Sequence, residues 1–293
     1  MVAIGSGRFA SHGREGYALN VGFIGAGSMG GMLVEAFIRS GALSPERIAV
    51  ANRTHAKAER LALRYPGLRA VRTNAEAAAG RDIVFLCVKP LDYRTVIDEI
   101  RASVQPEQLI VSITSPVLLA HLEEWLPCRV AKVIPSITNM ALGGVTLLVY
   151  GSRVEPGQMA MLKGLLSHIS RPVRIDERHT RVASDLSSCG PAFMAFMLRR
   201  FVDAAVKETG IGREEAERLA AGMLLGTGRL IAEEGLTAED VIRRVAVPGG
   251  ITAAALKVLE AELDGVFNRL IRTTHAKFRE DLAKVDQSFA VKR

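Results

Sequence analysis

Cysteines, aromatic residues and long apolar runs are all scarce in this 293-residue sequence. The three cysteines are odd in number and form no C-x-x-C pair, which argues against a disulfide framework and favours the reducing cytoplasm. The six histidines show no metal-ligand spacing, so no metal site is expected. The longest apolar stretches are strand-sized or interrupted by charge, so no membrane partner is expected. The polar, glycine-rich residues 1–20 lack the apolar core of a signal peptide and are interpreted as a flexible tail.

The net charge of +7 suggests an anionic partner. Nucleic acid is disfavoured, because aromatic residues make up only 5% of the chain and the basic residues are not interleaved with them. An anionic small ligand explains the charge equally well. The balance of 48% hydrophobic and 24% charged residues is that of an ordered chain, long enough for two domains.

A glycine-rich turn provides the most informative local pattern. The apolar residues 21–24 precede Gly25-Ala26-Gly27-Ser28-Met29-Gly30, and an amphipathic helical pattern follows. This G-x-G-x-x-G between a strand and a helix is typical of the βα turn that binds a dinucleotide diphosphate at the helix N-terminus. We therefore predict that these residues bind a nicotinamide cofactor in a Rossmann domain.

The end of the second predicted strand indicates which cofactor is bound. NAD-binding folds place an acidic residue here, but this chain has Asn52, Arg53 and Thr54. Arg53 is suited to a ribose 2′-phosphate, which favours NADPH, with NADH as the alternative. The alternative interpretation of Arg53 is an ordinary solvated residue after a strand.

Strands alternate with helices up to about residue 176, and almost only helical patterns follow. We therefore predict an α/β architecture with a tail over 1–20, an NADP-binding Rossmann domain over 21–176 and an all-helical dimerisation and substrate domain over 177–293. The buried strand pattern at 82–88 ends at Val88, Lys89 and Pro90. Carboxyl ends of parallel strands face the ligand crevice, so these three residues are predicted to contact the cofactor.

Motifs in both predicted domains together resemble the pyrroline-5-carboxylate reductase family. The resemblance extends from about Val21 to at least Glu260. The motifs are the glycine turn with Asn52-Arg53-Thr54, Val88-Lys89-Pro90, Cys189-Gly190-Pro191-Ala192-Phe193, and Pro248-Gly249-Gly250-Ile251-Thr252. Three further stretches are most similar to the late-competence branch of that family, ComER: Ile113–Val117, Val133–Asn139 and Arg181–Asp185.

The resemblance implies an NAD(P)H-dependent reduction of 1-pyrroline-5-carboxylate, an imine, to L-proline. It also implies a homodimer or a larger assembly of dimers with shared active sites. By position, Thr252 would bond the ring nitrogen, while Gly249 and Gly250 would supply backbone N–H groups to the substrate carboxylate. The alternative role for Thr252 is a hydroxyl that satisfies backbone donors at a helix N-terminus.

Three positions depart from the family pattern: Ser136, Cys189 and Val247. Ser136 alters a polar position expected near the nicotinamide, and Cys189 replaces a serine in the substrate region. Val247 replaces a serine that is expected to bind the substrate carboxylate. These departures leave a catalytically weak NADP(H)-binding regulator as a second hypothesis. A β-hydroxyacid dehydrogenase ranks third, because Met194 lies where such enzymes carry a lysine.

Overall fold

The computed structural model describes residues 18–290, so the tail predicted over residues 1–20 lies outside the described residues except for its last three. Within this range, eight strands form one sheet. The strands are β1 (Val21–Ile24), β2 (Ile48–Ala51), β3 (Arg69–Val71), β4 (Ile83–Leu86), β5 (Leu109–Ser112), β6 (Arg129–Ile134), β7 (Val145–Tyr150) and β8 (Arg171–Arg174).

Twelve α-helices lie within the described residues. They are α1 (Ser28–Arg39), α2 (Ala56–Arg64), α3 (Asn74–Ala78), α4 (Tyr93–Ile100), α5 (Leu119–Trp125), α6 (Pro156–Ser167), α7 (Thr180–Ser184), α8 (Gly190–Thr209), α9 (Arg213–Ala232), α10 (Ala238–Val245), α11 (Ile251–Leu263) and α12 (Val266–Ala290). None of these described helices is both long and apolar enough to cross a membrane.

The sheet has the order β3-β2-β1-β4-β5-β6-β7-β8. Every neighbouring pair is parallel except β6 and β7. The strand order reverses direction between β1 and β4, and ligands of such sheets bind at the carboxyl ends beside this point. The Rossmann fold predicted from the sequence is confirmed.

Apolar side chains cover both faces of the sheet, as expected for buried parallel strands. On one face, Phe23 stacks on Phe85 with ring centroids 5.0 Å apart, and Phe37 from α1 packs against both rings. On the other face, α3, α4 and α5 supply the core, and Val285 and Phe289 of α12 are buried with them. The two packed faces fix the carboxyl edge of the sheet, where the candidate site lies.

The chain divides into two compact units. The first, called the α/β unit, comprises the described residues up to Pro191 together with those from Ile271 onward, and the helical unit is Ala192–Leu270. The limit predicted between residues 176 and 177 falls before this division and stays a prediction. The helical unit leaves many large apolar side chains exposed, among them Phe196, Phe201, Leu219, Leu225, Ile251 and Val258.

The helical pattern that follows residue 176 contains an interruption. A π-helical turn, Asp185–Cys189, separates α7 from α8. The physical reason is Pro191, which has no N–H to donate to the carbonyl oxygen of Ser187 four residues earlier. The hydroxyl of Ser136 donates to this oxygen instead, at 2.9 Å.

The end of α12 is anchored on the α/β unit by polar as well as apolar contacts. Nε2 of His121 lies 2.9 Å from Oδ1 of Asp286, and the imidazole stacks on the ring of Phe289. Beside this contact, the guanidinium of Arg94 lies 3.4 Å from the centre of the Trp125 ring. Helix α12 therefore completes the core of the α/β unit.

Candidate active site

The glycine turn follows β1 at the carboxyl edge of the sheet. Gly25 has a φ of +106°, and a Cβ there would overlap the carbonyl oxygen of Cys87. A Cβ on Gly30 would overlap the carbonyl oxygen of Gly25. These two positions require glycine because the chain itself leaves no room for a side chain.

Gly27 is different, because nothing in the protein requires glycine there. Its backbone is extended, with φ −74° and ψ −168°, and an added Cβ would meet no atom within 4 Å. The open space lies at the N-terminus of α1, whose unpaired N–H groups attract anions. The missing side chain therefore suits a diphosphate approaching the backbone, and the site fits a dinucleotide.

Asn52 braces the glycine turn from the end of β2. Its Oδ1 accepts a hydrogen bond of 2.8 Å from the N–H of Ala26, and its Nδ2 donates to the carbonyl oxygen of Thr54 at 2.9 Å. The N–H of Gly25 also bonds to the carbonyl oxygen of Ala51 at 2.8 Å. The two hydrogen bonds of the Asn52 side chain thus hold the glycine turn in position.

A cavity of about 860 Å³ opens beside the turn, between the ends of β2, β3 and β4. Seven of the residues predicted to bind cofactor line it: Gly25, Gly27, Asn52, Arg53, Thr54, Val88 and Lys89. Of the others, Ser28 lines a neighbouring cleft, while Met29, Gly30 and Pro90 line neither space. Met29 packs on the apolar core, and Pro90 begins a 3₁₀ turn.

Basic side chains outnumber acidic ones among the residues that line this cavity, which favours a phosphate. The Arg53 side chain is 87% exposed, and its Nη1 lies 4.0 Å from Oδ1 of Asp92. Lys57 and Arg72 also line the cavity, and the sequence analysis did not identify them. Lys57 lies on the first turn of α2, three residues after Thr54. This nearness to Asn52-Arg53-Thr54 is the sequence feature that indicates a place beside the cofactor cavity.

A buried polar network supports the carboxyl ends of β4 and β5. The Tyr93 hydroxyl lies 2.8 Å from the carbonyl oxygen of Leu86 and 3.0 Å from Oγ of Ser112, and it accepts from the N–H of Ile113. Burial raises the pKa of the Tyr93 hydroxyl and that of the nearby Cys87 thiol above their usual ranges. Both groups are therefore neutral near pH 7, and Cys87 is not a thiolate nucleophile.

Lys132, on β6, is a buried cation that the sequence analysis missed. Its Nζ lies 2.7 Å from Oε1 of Glu177 and donates to the carbonyl oxygen of Ser115 at 3.2 Å. The same carboxylate oxygen accepts from the N–H of Leu119 at 2.9 Å. Burial lowers the pKa of Lys132, and the charge of Glu177 opposes that shift. The pair joins the loops after β5 and β8.

The residues predicted to contact substrate belong to different units. Cys189 ends the π turn of the α/β unit, where its Sγ lies 3.1 Å from Nη2 of Arg181, which also pairs with Asp185 at 2.8 Å. The remaining predicted residues lie in the helical unit: Val247, Gly249, Gly250 and Thr252. Ser136, expected near the nicotinamide, is fully buried, and its hydroxyl donates to the carbonyl oxygen of Ser187 and accepts from the hydroxyl of Thr138.

The Pro-Gly-Gly loop directly precedes α11. Gly249 has a φ of +74°, and the N–H of Gly250 donates to the carbonyl oxygen of Val247 at 2.9 Å. The N–H of Gly250, predicted to bind the substrate carboxylate, is therefore already bonded within the loop. The first N–H groups of α11 have no intrahelical partner. Thr252 Oγ1 has no hydrogen-bond partner among residues 18–290, so it does not cap the helix.

Comparisons with known proteins agree with this architecture. The family model "pyrroline-5-carboxylate reductase dimerisation" matches residues 177–281, and the model "NADP oxidoreductase coenzyme F420-dependent" matches residues 20–116. The structure is similar to a pyrroline-5-carboxylate reductase from Coxiella burnetii, with a TM-score of 0.78 and 25% identity over 93% of this chain and 99% of that one. The NADP-bound reductase from Plasmodium falciparum, 21% identical, shares the fold with a TM-score of 0.79 over 92% of this chain and 100% of that one.

Curated relatives match nearly the whole chain. ComE operon protein 4 of Bacillus subtilis is 39% identical over 93% of this chain and 100% of its own length. Pyrroline-5-carboxylate reductase 3 of the same organism is 31% identical over 88% of this chain and 95% of its own length. On these grounds the chain belongs to the pyrroline-5-carboxylate reductase family.

Proposed function

We propose that this protein reduces the C=N bond of 1-pyrroline-5-carboxylate to give L-proline, with NADPH as the cofactor. The observation that carries the proposal is the open space at Gly27, where neither backbone conformation nor packing explains a glycine. A bound dinucleotide diphosphate explains it. Membership of the reductase family supplies the substrate class.

NADPH, when bound, supplies the hydride for the reduction. The chain holds it by backbone N–H groups at Gly27 and Ser28, at the N-terminus of α1. Arg53, Lys57 and Arg72 provide the positive charge that a ribose 2′-phosphate needs, and residues 52–54 include no carboxylate that would repel it.

Thr252 is the group proposed to contact the reacting nitrogen. A cyclic iminium already carries positive charge, so the site mainly has to orient the ring and its carboxylate. The Thr252 hydroxyl makes no hydrogen bond among residues 18–290, so it is available to the ring nitrogen. The first N–H groups of α11 suit the substrate carboxylate.

A homodimer is part of the proposal. The helical unit leaves Phe201 65% exposed and Ile251 92% exposed, which is costly for a monomer in water. The dimerisation model covers this part of the chain. A second copy is therefore the expected cover for these side chains.

The test is NADPH oxidation that depends on 1-pyrroline-5-carboxylate. We expect Thr252→Ala to lower kcat/KM by about ten- to a hundredfold, the effect of losing one hydrogen bond to a charged group. Thr209→Ala, which removes an exposed threonine hydroxyl that bonds to Ala205 and Ile211 at the end of α8, is the matched control. Wild-type protein that binds NADPH but shows no imine-dependent oxidation would refute the proposed activity.

The second candidate function is a catalytically weak NADP(H)-binding regulator. Val247 favours it, because this exposed apolar side chain occupies the position of an expected carboxylate-binding hydroxyl. Val247→Ser separates the two functions. A reductase limited by substrate binding gains about tenfold or more in kcat/KM from the restored hydroxyl, whereas a regulator without the reaction gains no turnover.

A further inference from the structure

A cluster of three side chains lies on α7 and the π turn that follows it. Arg181, Asp185 and Cys189 follow one another at intervals of four residues, which places them along one face of the helix. All three belong to the α/β unit. None of them lines the cofactor cavity, so the cluster is separate from the groups already assigned to NADPH.

The Asp185 carboxylate holds this cluster in place. Its side chain is 1% exposed, and its Oδ1 lies 2.8 Å from Nη2 of Arg181. Its Oδ2 lies 2.8 Å from Oγ1 of Thr274 on α12 and 3.7 Å from Nε2 of His275. A buried carboxylate is costly unless it is paired and hydrogen-bonded, so Asp185 keeps the guanidinium of Arg181 beside it.

The Arg181 guanidinium uses one nitrogen for two contacts. Its Nη2 bonds to Asp185 and also donates to Sγ of Cys189 at 3.1 Å. Its Nε is buried and has no hydrogen-bond partner among residues 18–290. The strongest arginine–carboxylate pairs make two parallel bonds from two nitrogens, whereas here a single nitrogen is shared between the carboxylate and the sulfur. The orientation of the guanidinium therefore favours the contact with Cys189 over an optimal ion pair.

The backbone around Cys189 is irregular, so its side chain depends on such a contact. Cys189 ends the π turn and precedes Gly190 and Pro191, and Pro191 removes one helical hydrogen bond. A π turn inside a helix is frequent at functional sites. The contact with Arg181 thus fixes the sulfur at the point where the helix itself constrains it least.

We propose that Arg181, held by Asp185, is a positioning residue that fixes the Cys189 thiol in the orientation in which it contacts the substrate. The inference rests on the proposed function, because Cys189 is one of the residues predicted to contact substrate. Arg181 and Asp185 both lie in the stretch that resembles the late-competence branch, and Cys189 itself departs from the family pattern. The charged pair and the cysteine therefore act as one unit.

The test is a double-mutant cycle on kcat and KM for 1-pyrroline-5-carboxylate. One change is the pair variant, Arg181→Met/Asp185→Asn, which leaves no unpaired carboxylate in a buried place. The other change is Cys189→Ala, and the combined variant completes the cycle. Arg178→Met, which removes an exposed arginine paired with Asp176, is the matched control. Thermal unfolding of each variant checks that it is folded.

We expect the pair variant to lower kcat/KM about tenfold, the effect of one lost hydrogen bond to a charged group, with the NADPH affinity measured by calorimetry unchanged. Cys189→Ala removes the group through which the pair acts, so in that background the pair change should lower kcat/KM by less than about twofold. Additive effects of the two changes would overturn the inference. An unchanged kcat/KM in the pair variant would also overturn it, as would an equal loss of NADPH affinity, which indicates a purely structural role.

Wild-type protein without imine-dependent NADPH oxidation would refute the proposed function instead. Alkylation of Cys189 by iodoacetamide, followed by mass spectrometry, then decides whether Arg181 positions the thiol. At about pH 9.5 most thiols are ionised, so the rate reports access to the sulfur. The pair variant should lose the protection that the guanidinium gives and react faster than both wild type and Arg178→Met. Equal rates in the three proteins would overturn the inference without any measurement of turnover.

Discussion

The Ser136 hydroxyl donates a 2.9 Å hydrogen bond to the carbonyl oxygen of Ser187, the oxygen that Pro191 leaves without an α-helical donor. The bond joins the loop after β6 to the π turn, across 51 positions of sequence. Ser136 is fully buried, whereas Ser187 is partly exposed. Its role in this structure is to hold the turn that ends at Cys189.

Ser136→Ala is therefore expected to destabilise the protein by about 1–2 kcal/mol, because a partly buried carbonyl oxygen is left without this donor. Urea unfolding followed by circular dichroism measures the change. Ser167→Ala, which removes an exposed hydroxyl bonded within its own helix, should change the free energy of unfolding by no more than about 0.5 kcal/mol. Equal effects of the two substitutions would contradict this role.

Gly27→Ala and Gly30→Ala should separate ligand binding from folding. Gly27→Ala fills open space, so we expect a stability change within about 0.5 kcal/mol and NADPH affinity reduced about tenfold or more. Gly30→Ala forces overlap with the backbone of Gly25 and should cost about 1–3 kcal/mol of stability. Thermal unfolding and NADPH titration measure the two effects. Unchanged NADPH binding by Gly27→Ala would disprove the explanation given for this glycine.

Lys132→Met should lower the free energy of unfolding by about 3 kcal/mol, because Glu177 is left without its buried cation. The double variant Lys132→Met/Glu177→Gln removes both charges and should recover most of the loss. Lys163→Met, at an exposed lysine of α6, is the control. A double variant no more stable than the single one would show that the packing of Lys132, rather than its charge, sets the loss.

The raised pKa of the Tyr93 hydroxyl should make the free energy of unfolding depend on pH in alkaline solution. Burial raises the pKa of its hydroxyl in the folded state, so above about pH 10 the unfolded chain loses this proton while the folded chain keeps it. The unfolded state then binds fewer protons, and stability falls as the pH rises. Tyr93→Phe should reduce this fall between pH 9 and about 11.5, as measured by urea unfolding at each pH. Parallel curves for the two proteins would contradict the prediction.

Local pattern was sufficient for the fold and for the glycine turn. Continuous apolar strands, helical spacing and the positions of Gly25, Gly27 and Gly30 all depend on neighbours along the chain, so the sequence predicts them well. Pro191 indicates a helix start or a kink at this point, but no local pattern indicates the π turn, because its partner Ser136 is remote in sequence.

The charged residues were harder to assign. Lys57 looks like part of the solvated face of any amphipathic helix, and only its place in the lining of the cofactor cavity distinguishes it. Lys132 interrupts an otherwise apolar strand, which was an indication of a buried charge, but its partner Glu177 lies 45 residues away. Pairing across such distances is a tertiary property that no local spacing encodes.

The burial of Val285 and Phe289 in the α/β unit determines how this protein can be divided for experiments. A fragment that stops at Pro191 contains the eight described strands and the glycine turn, yet it exposes the apolar groove that these two side chains fill. Such a fragment should aggregate when expressed alone. A separate peptide of residues 271–293, which contains most of α12, should restore the solubility of the fragment. The two pieces would then form a split version of the α/β unit.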